Sequence, residues 1–195
     1  DYKVTGWFGF FLPNISGSVV MGKDTEQKSQ RFRSKLVVEP SGSAEKTNVI
    51  AGADGTTYYV VDETAKTVYA DIDPAVVGKN RWGIEFAMVK EFAAADPFAE
   101  ILKEGEIKIE GTTKVDDMEC VNIRLKSANQ PEALWTFSVA DHLPRQITFA
   151  QKNEKGEEAT AVMTLHKLVV NPTFAKDPFQ LVVPEGYKRT DDFAP

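Results

Sequence analysis

The stretch 134–149, reading LWTFSVADHLPRQITF, constrains the fold more than any other part of the chain. Trp135, Phe137 and Val139 alternate with Leu134, Thr136 and Ser138, the two-residue period of a strand with one heavily apolar face. Residues 141–144 carry turn chemistry. Asp141 can accept a hydrogen bond from its own following backbone, and Pro144 removes a ladder donor. Ile147 and Phe149 then alternate with Gln146 and Thr148. A symmetric closure sets Trp135 opposite Phe149 and Phe137 opposite Ile147 across the hairpin. One face of such a sheet is an aromatic wall, and the other carries small polar residues.

Most of the chain repeats this unit. Residues 2–11 are apolar on both faces (Trp7, Phe8, Phe10, Phe11), with Gly6 and Gly9 interleaved where a strand can bend. Residues 14–17 read as a turn, 18–21 as a short strand and 22–29 as a hairpin loop. From 31 to 38, Phe32, Leu36 and Val38 point inward while Arg31, Arg33 and Lys35 point outward, a sheet with one wet face. After the break at 40–43, a strand over 46–51 leads to a second hairpin at Asp54-Gly55. There Tyr58 and Val60 share a side, to which Val68, Ala70 and Ile72 are expected to return.

The period changes after Asp73-Pro74. Ile84, Phe86, Ala87, Met88, Val89 and Phe92 recur at helical spacing. Asp96 then reads as an N-cap with Pro97 at the first helical position. Phe98, Ile101 and Leu102 form one apolar stripe, ended by Gly105. Two such short helices are marginal alone and must dock on something apolar. Strands resume over 106–113, 120–126 and, after the 134–149 hairpin, 159–170. The expected architecture is mainly β (α+β): a curved, unclosed antiparallel half-barrel of about ten strands with a short helical lid or plug. Residues 1–190 would form one domain, with the helical insertion near 73–105 and a linker stub at 191–195.

Bulk properties narrow the function. The 195 residues suit one large domain with a proper core. A net charge of −6 argues against nucleic acid as a partner and against a polybasic membrane anchor. No run approaches the roughly 18 apolar residues of a spanning helix. Phosphate loops, nucleophile elbows and zinc-binding patterns are absent from the sequence, and no cofactor or metal is expected. Of the two histidines, His142 falls in the hairpin turn and His166 in the strand expected over 159–170. Cys120 is the lone cysteine, so no internal disulfide can form, and on a strand it reads as a small packed residue. No catalytic residues are assigned, and the chain is expected not to be an enzyme.

The order of the pieces resembles the periplasmic lipoprotein-carrier superfamily typified by LolA, LolB and the N-terminal domain of RseB, and in particular lipoprotein-sorting-like relatives. The resemblance rests on the Asp54-Gly55-Thr56-Thr57-Tyr58-Tyr59 hairpin, the mid-chain helices and the Trp135-to-Phe149 hairpin with Leu143-Pro144-Arg145. It rests as well on the ending Asn171-Pro172-Thr173-Phe174, Pro178-Phe179 and Pro184-Glu185-Gly186-Tyr187. It implies an unclosed antiparallel barrel with helices covering a cavity for acyl chains, and export to the cell envelope, with the protein periplasmic or otherwise exported. The long N-terminal helix usual in that superfamily does not appear in this sequence, and no residue aligns with the carrier's lid-locking arginine.

The leading expectation is a non-enzymatic cell-envelope protein binding lipid or an acylated partner on an apolar face. That face would be lined by Phe32, Tyr58, Val60, Trp135, Phe137 and Phe149, with Phe86, Val89, Phe98 and Leu102 from the helices. The alternative is an interaction or sensor module without a lipid cavity, of the kind that some relatives carry ahead of a thioredoxin-like domain. Direct packing of Trp135 and Phe137 on the helices is favoured over a ligand-facing wall.

Overall fold

A computed structural model describes residues 1–23, 30–40, 42, 45–73, 98–127 and 130–192. The chain separates into two compact units. One comprises Asp1–Ile15, Glu39–Ala44 and Asp96–Val170, the other Ser16–Val38, Glu45–Ala95 and Asn171–Pro195. The described strands are β1 (Tyr2–Thr5), β2 (Asn14–Lys23), β3 (Gln30–Glu39), β4 (Thr47–Ala53), β5 (Tyr58–Asp62), β6 (Thr67–Asp71), β7 (Glu106–Val115), β8 (Met118–Ser127), β9 (Gln130–Ser138), β10 (Pro144–Lys152), β11 (Glu158–Thr164) and β12 (Lys188–Thr190). One short helix, α1 (Ala99–Glu104), precedes β7.

In the first unit the hydrogen-bonded order is β1-β11-β10-β9-β8-β7, with Ile15 at the start of β2 opposite Tyr2. In the second it is β2-β3-β4-β5-β6-β12. The neighbours β1–β2, β3–β4, β4–β5, β5–β6 and those from β1 through β11 to β7 are antiparallel, whereas β12 lies parallel to β6. Among the described residues, β7 and β12 each have a strand partner on one side only, and the sheet is unclosed. The chain is therefore mainly β with an unclosed antiparallel sheet, as expected.

Several local expectations are corrected. Residues 2–11 are not one strand: Gly6 adopts φ +63, which a side chain disfavours, and the chain leaves β1 for a 3₁₀ turn over Gly6–Phe10. The turn expected at 14–17 lies inside β2. Strand β11 ends at Thr164, which leaves His166 outside it. Val68 and Ala70 sit opposite Val61 and Tyr59, so they share the face of those two residues and not that of Tyr58 and Val60. Ile72 is exposed beyond the strand.

In the second unit both faces of β4–β6 are covered. Tyr59, Val61, Val68 and Ala70 form one buried cluster, against which Ile50, Leu181 and Tyr187 pack. Ala51 and Val60 form the other, with Tyr58 against them. Arg31 fastens the segment after 170 to β3. Its guanidinium pairs with Asp177, donates to the Asp54 carbonyl at 2.9 Å and lies 4.7 Å from the centre of the Phe179 ring. Burial alone would raise the Asp54 carboxyl. Hydrogen bonds from the Thr56 and Thr57 amides and the Thr56 hydroxyl, with the Arg31 charge, outweigh it and hold Asp54 below the usual range.

Candidate functional site: an apolar wall in the first unit

Directly paired residues in antiparallel strands share a face, so the register maps the wall. One row runs Ile107, Leu125, Ala133, Phe149, Ala161 and Val4. The next runs Ile109, Ile123, Trp135, Ile147, Met163 and Tyr2. Val121, Phe137 and Pro144 continue the same face on β8–β10. Six strands thus present one apolar surface, buried at its centre in Ala133, Trp135, Ile147, Ala161 and Met163.

The opposite face of β7–β9 is polar. Arg124 donates from Nε to Glu110 at 2.6 Å and also pairs with Glu132, and these carboxylates raise its pKa further. The Thr136 hydroxyl bonds the Asn122 side chain at 2.9 Å. That face is exposed at Glu110 and Glu132 and covered farther along, where Thr136, Ser138 and Cys120 are buried.

Phe98 lies on the wall. Its ring meets Trp135 at 4.9 Å between centroids and 88°, and Phe137 at 5.9 Å and 71°, while Trp135 and Phe137 stack at 5.9 Å and 17°. Edge-on contacts of this kind are worth about 0.5–1.5 kcal/mol beyond the area they bury. Phe98 was expected within the helical stripe. It instead precedes α1 at φ +66, which aims its ring at the sheet. Cover thins toward the β7 side: Leu102, Ile107 and Ile109 are 59%, 44% and 69% exposed, and Val139 is exposed as well.

The hairpin register differs from the symmetric expectation. Trp135 faces Ile147, Phe149 faces Ala133 and Pro144 faces Phe137. The turn closes early, with the Ser138 amide donating to Leu143 O and the His142 amide to Ser138 O, both at 2.9 Å. The odd residue, Arg145, becomes a bulge. Its buried guanidinium pairs with Asp141 and donates to Pro144 O at 3.2 Å. The Leu143 amide above all, with the Arg145 and Ser138 side chains, holds the Asp141 carboxyl below its usual range against the opposing effect of desolvation.

Of the residues expected to line a ligand face, Phe98, Trp135, Phe137 and Phe149 come together here. Leu102 lies on α1, exposed. Phe32, Tyr58 and Val60 sit in the second unit, where Phe32 and Tyr58 both face Ala53 and Val60 faces Ala51. Phe86 and Val89 lie outside the described residues. Ile107 and Ile109 were missed. Their alternation with Glu106 and Lys108 is visible in the sequence, but nothing there tells an exposed edge strand from a covered one. Cys120 is fully buried and its thiol donates to Met118 O at 3.4 Å. His142 is exposed in the turn, while His166 lies between the carboxylates of Asp116 at 2.8 Å and Asp1 at 3.1 Å. Among the described residues no cluster has the composition of a metal site, and no helix is long and apolar enough to cross a membrane.

Comparison with known proteins adds a family. The family described as "Predicted periplasmic protein (DUF2092)" matches residues 25–191. No curated protein matches. Among solved structures, MucB in complex with MucA(peri) is 13% identical with a TM-score of 0.44, covering 86% of this chain and 49% of that one. The MucA/MucB complex of Pseudomonas aeruginosa is 11% identical with a TM-score of 0.45, covering 86% and 50%. A further MucB structure is 12% identical with a TM-score of 0.40, covering 89% and 58%. The chain thus spans about half the length of the first two.

Proposed function

Since the chain belongs to the family of predicted periplasmic proteins DUF2092, we propose that it is a non-enzymatic periplasmic binding module that takes an acyl chain, from a lipid or an acylated protein, on the apolar wall of the first unit. The periplasmic setting is the one that the resemblance to lipoprotein carriers implied. The observation that carries the proposal is the gradient of cover along the wall. Its centre is buried, whereas Leu102, Ile107 and Ile109 leave apolar surface open beside Phe98 and the Trp135–Phe137 stack. An apolar strip continuous with a core is a surface that an aliphatic chain extends. Each buried methylene contributes about 0.8 kcal/mol, so ten contribute roughly 8 kcal/mol gross before ordering costs.

Native mass spectrometry of protein taken from the envelope without detergent tests the idea. Adducts with the mass of a lipid or an acylated peptide support it. Bare protein, together with no displacement of an acyl-chain fluorophore in solution, would sink it. The second reading is an interaction module for an extended polypeptide. It is favoured by β7, whose described side chains are exposed along nearly its whole length and whose second edge has no strand partner among the described residues.

A further inference from the structure

The 3₁₀ turn after β1 holds two adjacent, highly exposed aromatic residues: Phe10 is 84% exposed and Phe11 74%. Large apolar side chains left this open usually collapse onto neighbouring surface, and here the turn is tied down so that they do not. The Phe11 and Leu12 amides both donate to Phe8 O, at 3.0 and 2.9 Å. The Trp7 indole N–H donates to Glu157 O at 3.2 Å, and its ring meets Phe8 edge-on at 4.6 Å. Gly6 lies so close to β11 that a Cβ there would come within 2.2 Å of Glu158 O. Trp7 and Phe8 are therefore spent on fixing the turn, and Phe10 and Phe11 are presented outward.

We propose that this turn is a membrane-contacting element, with Phe10 and Phe11 entering the interfacial layer of a lipid bilayer and half-buried Trp7 at the headgroup level. Aromatic rings favour that layer. Two phenyl rings expose about 150–250 Å² each, well short of the roughly 800 Å² per partner of a stable protein interface. A second copy of the chain is therefore the poorer occupant, whereas interfacial insertion adds up from a few side chains and has no such area threshold. A periplasmic chain also meets bilayers on both sides. The net charge of −6 offers no attraction to anionic headgroups, so the contact is apolar and insensitive to salt. The proposal goes beyond the acyl-binding reading and does not depend on it, because the turn shares no residue with the open part of the wall.

Co-sedimentation of the full chain with sucrose-loaded vesicles of phosphatidylethanolamine and phosphatidylglycerol tests it. The wild type partitions onto vesicles equally at low and high salt. F10S/F11S partitions about tenfold less or worse, with its melting temperature kept because both side chains are exposed. F10W/F11W retains partitioning. Wild-type protein that stays in the supernatant, or a serine variant that sediments equally well, overturns the proposal. So does self-association in the absence of lipid that F10S/F11S abolishes. F10S/F11S, which leaves the wall untouched, keeps the wild-type affinity for an acyl-chain fluorophore in solution, so failure of the acyl-binding reading is told apart from failure of this one.

Discussion

Phe98 and Trp135 meet edge-on at 4.9 Å and 88°, and the backbone of Phe98 is left-handed at φ +66 to make that contact. A left-handed residue with a Cβ costs about 1–2 kcal/mol, so the ring contact and the strain oppose each other at one position. F98A loses the ring and keeps the strain. F98G loses the ring and relieves it. In equilibrium urea unfolding both variants fall below the wild type, and F98G stays above F98A by about 1 kcal/mol. An F98G no more stable than F98A would show that the conformation is not strained.

In the second unit Gly52 lies opposite Tyr59, whose ring covers it. A Cβ at Gly52 would come within 2.4 Å of Tyr59 Cζ and 2.8 Å of Phe32 O. The ring is anchored by its hydroxyl, which donates to Phe179 O at 3.3 Å. G52A therefore destabilises by about 1–3 kcal/mol, the usual range for overpacking. Thermal unfolding followed by circular dichroism measures it. An unchanged melting temperature would mean that Tyr59 moves aside freely.

Asp141 gives the hairpin turn an acid dependence. Its carboxyl is held below the ordinary 3.8, first by the Leu143 amide and then by the side chains of Arg145 and Ser138. A depressed folded-state value means that the unfolded chain takes up the proton first. The stabilisation is therefore complete above about pH 4 and is lost as pH falls through the folded value. D141N abolishes that part of the acid slope. Urea midpoints compared between neutral pH and pH 3 should fall less in D141N than in the wild type, and parallel falls would contradict the assignment.

The wall itself is tested at its open end. Ile107 and Ile109 are exposed, so I107S/I109S keeps its stability within about 0.5 kcal/mol. If an acyl chain lies there, losing two aliphatic contacts weakens binding of a fluorescent fatty-acid probe by about tenfold or more. An equal affinity in both proteins would move the ligand elsewhere.

The strands of the fold were readable because a half-buried sheet writes itself as alternation. Trp135, Phe137, Val121, Ile123 and Leu125 all fall on the face that their sequence period assigned. Alternation says nothing of which residue stands opposite which, and the hairpin shows why. The turn closes early, so that Phe137 meets Pro144 and not Ile147. The bulge at Arg145, held by Asp141 and two carbonyls, takes back only one residue of that shift and leaves Trp135 opposite Ile147. The same limit explains Val68 and Ala70. Their alternation was seen, but the phase across the turn from β5 to β6 was misjudged, which turned them to the wrong face.

By itself, then, the sequence determined the class of this protein: alternating apolar strands, a charge unsuited to nucleic acid, and the motifs that point to a periplasmic family. Only the tertiary structure decided what those strands face. Phe98 turns onto Trp135 and Phe137 through a left-handed backbone that no propensity favours. Tyr58 and Val60 pack within the second unit while Ile107 and Ile109 stay open on β7. Phe10 and Phe11 look like core in a list of residues and lie at the surface in the fold. The physical reason is common to all of these. Hydrophobicity is a property of one side chain, whereas burial depends on neighbours brought from distant parts of the chain.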